Sequence, residues 1–374
     1  MKRISITPRQ DWEKKISEQG FLFYKNESYY NETCAYEFTN KEIDVIETAT
    51  VEIFDMCMKV VDHVIKHKLW KEFFIPPQYA ELIEWSWKED QPSFYGRFDL
   101  AFNNNQIKLL EFNADTPTSL LESSVIQWYW LQDYNKDYDQ FNSIHEKLLM
   151  HMKECKDHFL PGLLYFSSVK DNVEDLINVK YIQDLAEQAG LQTEFIYIDD
   201  IGIDKNGCFI DIDNRPVKNI FKLYPYEWMF HEEFGNYLSA NREQCFWIEP
   251  PYKAILSNKM LLKYLSDLFP HSPYILPCTF AKQGTNITQA SPYVRKPVYS
   301  REGANVSIII DGKTVEETSG DYGEEGFLMN GFTSSYNGDV TSSHDPTDFW
   351  VLKTDGNGII QWSECLGGGR GGHG

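Results

Sequence analysis

Four polar side chains, carried by two neighbouring runs of alternating polar and apolar residues, have the types and spacing of a metal-binding site. The runs read as two strands joined by a polar turn centred on Asn105. Antiparallel pairing about this turn places Asp99 opposite Glu111. It also places Arg97 opposite Asn113. Paired carboxylates are costly unless a cation lies between them, and oxygen ligands at this density suit a hard ion such as Mg²⁺.

The loop after these strands has the features of an anion-binding site. Residues 119–122 (SLLE) fit a capping box, so we expect a helix over 120–134. The loop 114–118 would then lead into a helix N-terminus, whose free N–H groups favour an anion. Thr116 and Thr118 add hydroxyl donors. An ordinary hairpin with a solvated polar face is the alternative, and this loop favours a functional site over it.

Two lysines form a second candidate group. Lys259 lies in the run SNKMLLK, and Lys296 ends a predicted strand before a proline and the loop 300–305. A lysine beside a glycine-containing loop can hold phosphates, although an exposed lysine before a tight turn is the favoured interpretation when the pattern is taken alone. The chain has no GxxxxGK[ST] and no GxGxxG after a strand, so neither a P-loop nor a dinucleotide fold is indicated.

The overall charge limits the class of partner. The 374 residues include 35 Lys plus Arg and 56 Asp plus Glu, a formal charge of -21. This balance argues against nucleic acid and against anionic membrane surfaces. Seven dispersed cysteines without a CxxC pair argue against zinc and are typical of reduced thiols, so we expect a cytoplasmic protein. The polar start and the lack of a long apolar run predict neither a signal peptide nor a membrane span.

The hydrophobic pattern predicts an α/β (α+β) fold. The range 162–201 reads as one β-α-β unit, with strands at 163–166 and 194–198 around a helix at 173–190. The glycine-rich end, 367–374, is expected to be flexible. The remaining expected elements are helices at 41–69 and 258–269 and strands at 220–223, 293–297, 306–310 and 326–329.

Four stretches of the chain resemble the glutathionylspermidine synthase family. In the family's order they are FYGRFDLAFNNNQIKLLEFNADTPTSLLESSVIQWYW, FKLYPYEWM, SNKMLLKYLSDLF and VRKPVYSREGANVSI. The resemblance runs from about 24 to 339. It implies an ATP-grasp fold in which the metal-binding strands precede the nucleotide lid in sequence.

The same resemblance implies a domain division and a set of site residues. Residues 1–150 would form the metal-site part of the core, 151–250 a preATP-grasp-like subdomain, 251–340 the ATP-binding lid, and 341–374 a returning strand with a tail. By this resemblance Arg97 is catalytic. The other implied roles are Mg²⁺ binding by Asp99, Glu111 and Asn113; ATP binding by Lys259, Lys296, Glu302, Gly303, Asn330, Gly331 and Phe332; and binding of the carboxylate substrate by Thr116 and Thr118.

The implied activity is an ATP-dependent carboxylate–amine ligase with ATP and Mg²⁺ as cofactors. ATP would phosphorylate the carboxylate of a small molecule or peptide, and an amine would displace the phosphate to give an amide. The family's C-terminal strand ends in an arginine, whereas QWSE follows here and Arg370 is the only later one. A nucleotide-binding protein without ligase activity is therefore one alternative, and a metal-dependent hydrolase is another. The start lies close to the synthetase motifs, so we expect no amidase domain.

Overall fold

The two largest sheets in the described part of the chain are a parallel four-stranded sheet and an antiparallel five-stranded sheet. The computed structural model describes residues 1–25, 29–103, 105–140, 143–281, 293–301, 303–310 and 313–318, together with the strands at 327–330, 348–354 and 360–367. The α-helices are α1 (Trp12–Glu18), α2 (Asn40–His67), α3 (Ala80–Lys88), α4 (Gln127–Tyr134), α5 (Ile144–Glu154), α6 (Val173–Gln188), α7 (Tyr226–Met229), α8 (Lys253–Leu256) and α9 (Met260–Leu268). Shorter 3-10 helices span Leu69–Lys71, Pro77–Tyr79, Cys155–His158, Ile198–Asp200 and Glu233–Tyr237, and a π-helical turn spans Glu122–Ile126.

The strands alternate with these helices along most of the chain, which is the mixed α/β class expected from the sequence. They are β1 (Lys2–Ser5), β2 (Cys34–Glu37), β3 (Arg97–Asn103), β4 (Gln106–Asn113), β5 (Leu164–Ser168), β6 (Thr193–Tyr197), β7 (Gly202–Ile203), β8 (Phe209–Ile210), β9 (Asn219–Lys222), β10 (Phe246–Ile248), β11 (Cys278–Ala281), β12 (Tyr293–Pro297), β13 (Ser307–Ile310), β14 (Lys313–Glu317), β15 (Phe327–Asn330), β16 (Asp348–Thr354) and β17 (Ile360–Gly367).

Helix α2 is the long amphipathic helix predicted over 41–69. A capping box begins it, because the side chain of Thr39 accepts the N–H of Glu42 and the Glu42 carboxylate accepts the N–H of Thr39. Lys68, in the left-handed conformation, ends it. One face of the helix lies in the largest apolar core, which it shares with α9 and with the apolar face of the β3–β4 hairpin.

The parallel sheet has the strand order β10-β9-β5-β6 and confirms the predicted β-α-β unit. Asn172 caps α6 by accepting the N–H of Asp175, and Gly190 ends the segment with a positive φ of 81°. Since the strands are parallel, their carboxyl ends lie at one edge. Lys222 is the last residue of β9, and Glu249 follows β10 directly, so both emerge at that edge.

The β3–β4 hairpin has the predicted register. Asp99 pairs with Glu111, and Arg97 pairs with Asn113. The register shifts after Asp99, so that Leu100 pairs with Leu109 and Leu110 is an extra residue, a β-bulge. Strict strand alternation predicts from the sequence that Leu109 shares a face with Glu111, and this prediction is wrong because of the extra residue. The bulge moves Leu109 into the apolar core, where it is buried.

The antiparallel sheet lies within the range 251–340, for which the ATP-binding lid is predicted, and its strand order is β11-β15-β12-β13-β14. The helix predicted at 258–269 is α9. The side chain of Asn258 accepts the N–H of Met260 at its start. The N–H of Lys259 donates to the carbonyl of Val298, just beyond β12, and this bond joins the helix to the sheet.

The helix predicted after the hairpin forms, but its N-terminal turn does not have the expected capping box. The N–H of Leu120 donates to the side chain of Asn178 on α6, and the carboxylate of Glu122 accepts the hydroxyl of Tyr29. These long-range partners replace the local pair, and the turn is π-helical. Ser119 itself has a φ of 69°.

Within the described residues, no helix has the length and apolar content needed to cross a bilayer. The domain boundaries and the cytoplasmic location stay predictions. Strands β16 and β17 pair with each other antiparallel near the C-terminus. Arg370 and the rest of 368–374 lie outside the described residues.

Candidate active site

The polar face of the hairpin carries two carboxylates and one amide side by side. The side chains of Asp99 and Glu111 are 41% and 23% exposed, so solvent reaches both. The Nδ2 of Asn113 lies 3.5 Å from the Oδ2 of Asp99. In the described part of the chain, no group of three or more His, Cys, Asp or Glu side chains is placed to hold a metal ion, and the hairpin itself offers two carboxylates and one amide. The donor set of the hairpin is all oxygen, and it fits a hard divalent cation.

Arg97 links this carboxylate pair to the loop that follows the hairpin. Its Nε donates to Asp99 Oδ1 at 2.9 Å, and its Nη1 lies 3.3 Å from Thr118 Oγ1. Burial acts to lower the pKa of the Arg97 guanidinium, but the neighbouring carboxylates of Asp99 and Glu111 raise it above its ordinary value. The guanidinium is therefore a fixed positive charge at the end of the carboxylate pair.

Two lysines approach the hairpin, one directly before α9 and the other on β12. The Nζ of Lys259 is 3.3 Å from Glu111 Oε2 and donates to the carbonyl of Ser300 at 2.7 Å. The Nζ of Lys296 donates to the carbonyl of Leu110, the bulge residue, at 3.2 Å. Burial acts to raise the pKa of Glu111, but the two ammonium groups outweigh it and hold the pKa below its usual range. Three positive side chains thus surround the carboxylates.

The ammonium of Lys259 is held in a largely buried position. The residue is 6% exposed, and burial lowers its pKa even though Glu111 opposes the shift. Repulsion from Lys296 lowers it further. Two like charges held this close favour an anion between them, since an anion would stabilise both.

Thr116 and Thr118 lie on the loop as predicted, each beside a different arginine. Thr116 Oγ1 accepts a hydrogen bond from Nη1 of Arg301, which lies on the loop after β12. The same guanidinium pairs with Glu227 on α7 and lies over the ring of Trp228. Arg301 therefore connects the loop after β12, the region after β9 and the loop 114–118, called the threonine loop below because it carries Thr116 and Thr118. The glycine-containing pattern of 300–305 predicts a functional role for this loop but carries no signal for Arg301 itself.

Of the five other predicted nucleotide-binding residues, Gly303 is described in full, Asn330 only through its strand pairing, and the remaining three not at all. Gly303 is exposed, with a φ of 72° and open space where a Cβ would be. Asn330 ends β15, paired with Cys278 on one side and Val294 on the other. Glu302, Gly331 and Phe332 lie outside the described residues.

A buried ion pair that the sequence argument missed holds the threonine loop. Asp115 and Lys222 are both fully buried, and their charged atoms are 2.7 Å apart. Asp115 also accepts the N–H of Tyr226, while its own N–H donates to Ser257 Oγ. A lysine within the predicted strand 220–223, whose other residues are apolar, was the available signal, because a buried lysine requires a partner.

A second buried pair anchors the start of the hairpin. The Glu249 carboxylate accepts the N–H groups of Phe94 and Tyr95 and pairs with Lys253 at 2.7 Å. The hydroxyl of Tyr95 donates to the carbonyl of Pro117 at 2.6 Å. Both ends of the hairpin are therefore fixed to the carboxyl edge of the parallel sheet, the edge where ligands bind in open α/β sheets.

The chain matches a family model, glutathionylspermidine synthase preATP-grasp, over residues 3–360. The chain belongs to this family. A Haemophilus influenzae protein provisionally named an acid–amine ligase is 38% identical over 290 residues, which are 75% of this chain and 73% of that protein. The family assignment confirms the resemblance inferred from the sequence and, with the observed architecture, the fold class.

Other relatives in the family are longer proteins. Trypanothione synthetase of Crithidia fasciculata is 27% identical over 292 residues, covering 68% of this chain and 43% of that protein. The bifunctional glutathionylspermidine synthetase/amidase of Escherichia coli is 24% identical over 269 residues, covering 66% and 43%. The matched part is therefore less than half of either synthetase. The names of these relatives are those of one ligase and two synthetases, and they give no support to an alternative without ligase activity.

Solved structures resemble the chain only distantly. A glutathione synthetase-like effector from Globodera pallida, in its apo form, covers 87% of this chain and 82% of its own, with 11% identity and a TM-score of 0.48.

Proposed function

We propose that the protein is an ATP-dependent ligase that joins a small-molecule or peptide carboxylate to an amine. The observation that carries the proposal is the convergence of opposite charges on the hairpin. Asp99 and Glu111 lie directly opposite each other, with Arg97 at one end and Lys259 at 3.3 Å from Glu111 on the lid side. This arrangement suits a nucleoside triphosphate with a divalent cation, because the basic side chains would face the phosphates and the carboxylates would face the cation.

In this proposal Asp99, Glu111 and Asn113 would hold Mg²⁺, which when bound would neutralise phosphate charge. Lys259 and Lys296 exchange their present carbonyl partners for phosphate oxygens of ATP. Gly303 lets the backbone of the loop above come close to those oxygens. The roles of Glu302, Asn330, Gly331 and Phe332 at the nucleotide are part of the proposal through the family resemblance.

Arg97 and the threonine loop would bind the carboxylate of the acid substrate. Thr116 and Thr118 each present a hydroxyl, and each lies beside an arginine, so a carboxylate placed there would be met by two positive groups. As the terminal phosphoryl group moves to this carboxylate, negative charge builds up on its oxygens, and Arg97 stabilises that charge. The amine then attacks the acyl phosphate, the C–O bond to phosphate breaks, and an amide and inorganic phosphate leave.

Phosphate release measured over a panel of acids and amines tests the proposal. We expect turnover that requires Mg²⁺, ATP, an acid and an amine together. The substitutions Asp99→Asn and Glu111→Gln should abolish it, because each removes one charged metal ligand without a change of size. The exposed pair Lys170–Asp200 offers a matched control, Asp200→Asn, which should leave turnover unchanged. Turnover that persists in both hairpin variants would overturn the site assignment.

Metal-dependent hydrolysis without ATP would select the hydrolase alternative. Calorimetric binding of ATP without phosphate release for any acid–amine pair would select the alternative that has lost ligation. The missing C-terminal arginine motivates this second alternative. Arg301 weakens the case for this alternative, because it supplies a second guanidinium at the threonine loop.

A further inference from the structure

The carboxylate of Glu122 is buried close to the hairpin, with one oxygen that lacks a partner. Glu122 is 6% exposed. Its Oε1 accepts the hydroxyl of Tyr29 at 2.7 Å, whereas Oε2 is buried and meets no donor among the described residues. A buried acceptor without a donor costs free energy, and most buried polar atoms in folded proteins have a partner. The Oε2 of Glu122 is such an atom without a partner, and its position beside the candidate active site suggests that a bound ligand supplies the donor.

Glu122 lies one helical turn after the threonine loop. Thr118 precedes it by four residues and contacts Arg97 through Oγ1 at 3.3 Å. The hydroxyl of Tyr29, which holds Glu122, is also 3.4 Å from Ser119 Oγ. Glu122 and Tyr29 therefore border the same loop that meets the catalytic candidate Arg97.

The surroundings of Glu122 favour a cation. Burial raises the pKa of its carboxyl above the ordinary value, although hydrogen bonds from Tyr29 and from the backbone of Glu122 itself act to lower it. The nearby carboxylate of Glu174, in the first turn of α6, adds to the rise, and Arg97 opposes it. Burial and the same two carboxylates raise the pKa of Tyr29, so its hydroxyl keeps its proton and donates. A positive group that entered here would relieve the repulsion between the two acids and give Oε2 its missing donor.

We propose that Glu122 binds the ammonium group of a substrate of the ligase, with Oε2 as acceptor and Tyr29 holding the carboxylate in place. The proposal rests on the proposed function. An ammonium group could be carried by the amine co-substrate, or by the α-amino group of the acid. The chemistry at Glu122 is the same in both cases, and binding measurements separate the two.

Calorimetry with simple probes tests the proposal without turnover. The probes are 1,4-diaminobutane, L-glutamate and N-acetyl-L-glutamate, the last of which lacks the ammonium. We expect the wild-type protein to bind either the diamine or L-glutamate, and L-glutamate, if bound, more tightly than its acetylated form. Glu122→Gln should weaken that binding by about tenfold or more, since a charge-assisted hydrogen bond is lost. The control Glu47→Gln removes the same charge from an exposed position on α2 and should bind like the wild type.

A second variant guards against a folding defect. Tyr29→Phe changes a residue that is 44% exposed, so it should fold, and it should weaken ammonium binding while the carboxylate remains. Equal binding by the wild type and Glu122→Gln, or no binding of either ammonium probe by the wild type, overturns the proposal. Phosphate release separates it from the proposed function. Turnover with unchanged KM values in Glu122→Gln refutes only the ammonium site, whereas Glu122-dependent binding without turnover refutes only the ligase.

Discussion

Replacing Lys222 by methionine should destabilise the protein far more than a surface lysine substitution would. The residue is fully buried, and its ammonium has three partners: Asp115 Oδ1 at 2.7 Å, the carbonyl of Tyr224 at 2.8 Å, and the ring of Tyr226 at 3.8 Å from its centroid. Methionine fills a similar volume, but it leaves the Asp115 carboxylate buried and without its counter-ion. Removing one partner of a buried pair costs about 3–5 kcal/mol.

The expected thermal shift follows from the size of the chain. The unfolding entropy is roughly 2 cal/mol/K per residue. If the whole chain unfolds cooperatively, a loss of 1 kcal/mol in the free energy of unfolding therefore lowers Tm by about 1.3 °C. Lys222→Met should therefore lower Tm by roughly 4–6 °C in differential scanning calorimetry. The double variant Asp115→Asn/Lys222→Met should regain a large part of this loss, because neither charge then remains buried.

The matched control is Lys263→Met, which breaks the partly exposed i,i+4 pair with Asp267 at 2.5 Å on α9. Such pairs contribute about 0.3–0.5 kcal/mol, so Tm should fall by less than about 1 °C. Two results would refute the reasoning. One is an equally small shift for Lys222→Met. The other is a double variant whose loss equals the sum of the two single losses, because the pair would then show no coupling.

Three further changes test other parts of the structure. Arg97→Lys should lower kcat by roughly a hundredfold in the phosphate assay, because a planar donor at the developing charge is lost, and a change under threefold would contradict this role. Burial acts to raise the pKa of Asp211, but hydrogen bonds from Arg215 and other donors lower it below its ordinary value. Its contribution to stability is therefore present above about pH 4 and lost as the pH falls further, so Asp211→Asn should lose less Tm than the wild type between pH 5 and pH 3. Gly235→Ala should destabilise the protein strongly, since an added Cβ would lie 1.9 Å from the carbonyl oxygen of Met229, and an unchanged Tm would show that this backbone can move.

The sequence predicted the hairpin register because strand alternation and a central turn leave little freedom. It predicted α2, the β-α-β unit and the strands of the antiparallel sheet at 293–297, 306–310 and 326–329 for the same reason: each has a local period and local end signals. The bulge at Leu110 was missed, because an extra residue leaves no mark in a pattern of alternating residue types.

The partners of buried charges were the other gap in the sequence argument. Asp115 and Lys222 are 107 positions apart, and Glu249 meets Phe94 across 155. Neither spacing carries a local signal. The same holds for Tyr29, whose long-range bond to Glu122 replaces the predicted capping box at the helix start. Predictions based on local sequence therefore failed where the structure depends on contacts between distant segments.

The bulge in β4 has a practical consequence for protein engineering. Removing Leu110 would still leave Asp99 opposite Glu111 and Leu100 opposite Leu109, because consecutive residues of a regular strand face opposite sides. What such a shortened hairpin would lose is the backbone carbonyl that now binds Lys296. If the hairpin is transferred into another sheet, a regular strand therefore keeps the carboxylates in register. The extra residue Leu110 has to be retained only if the contact to Lys296 is to be kept.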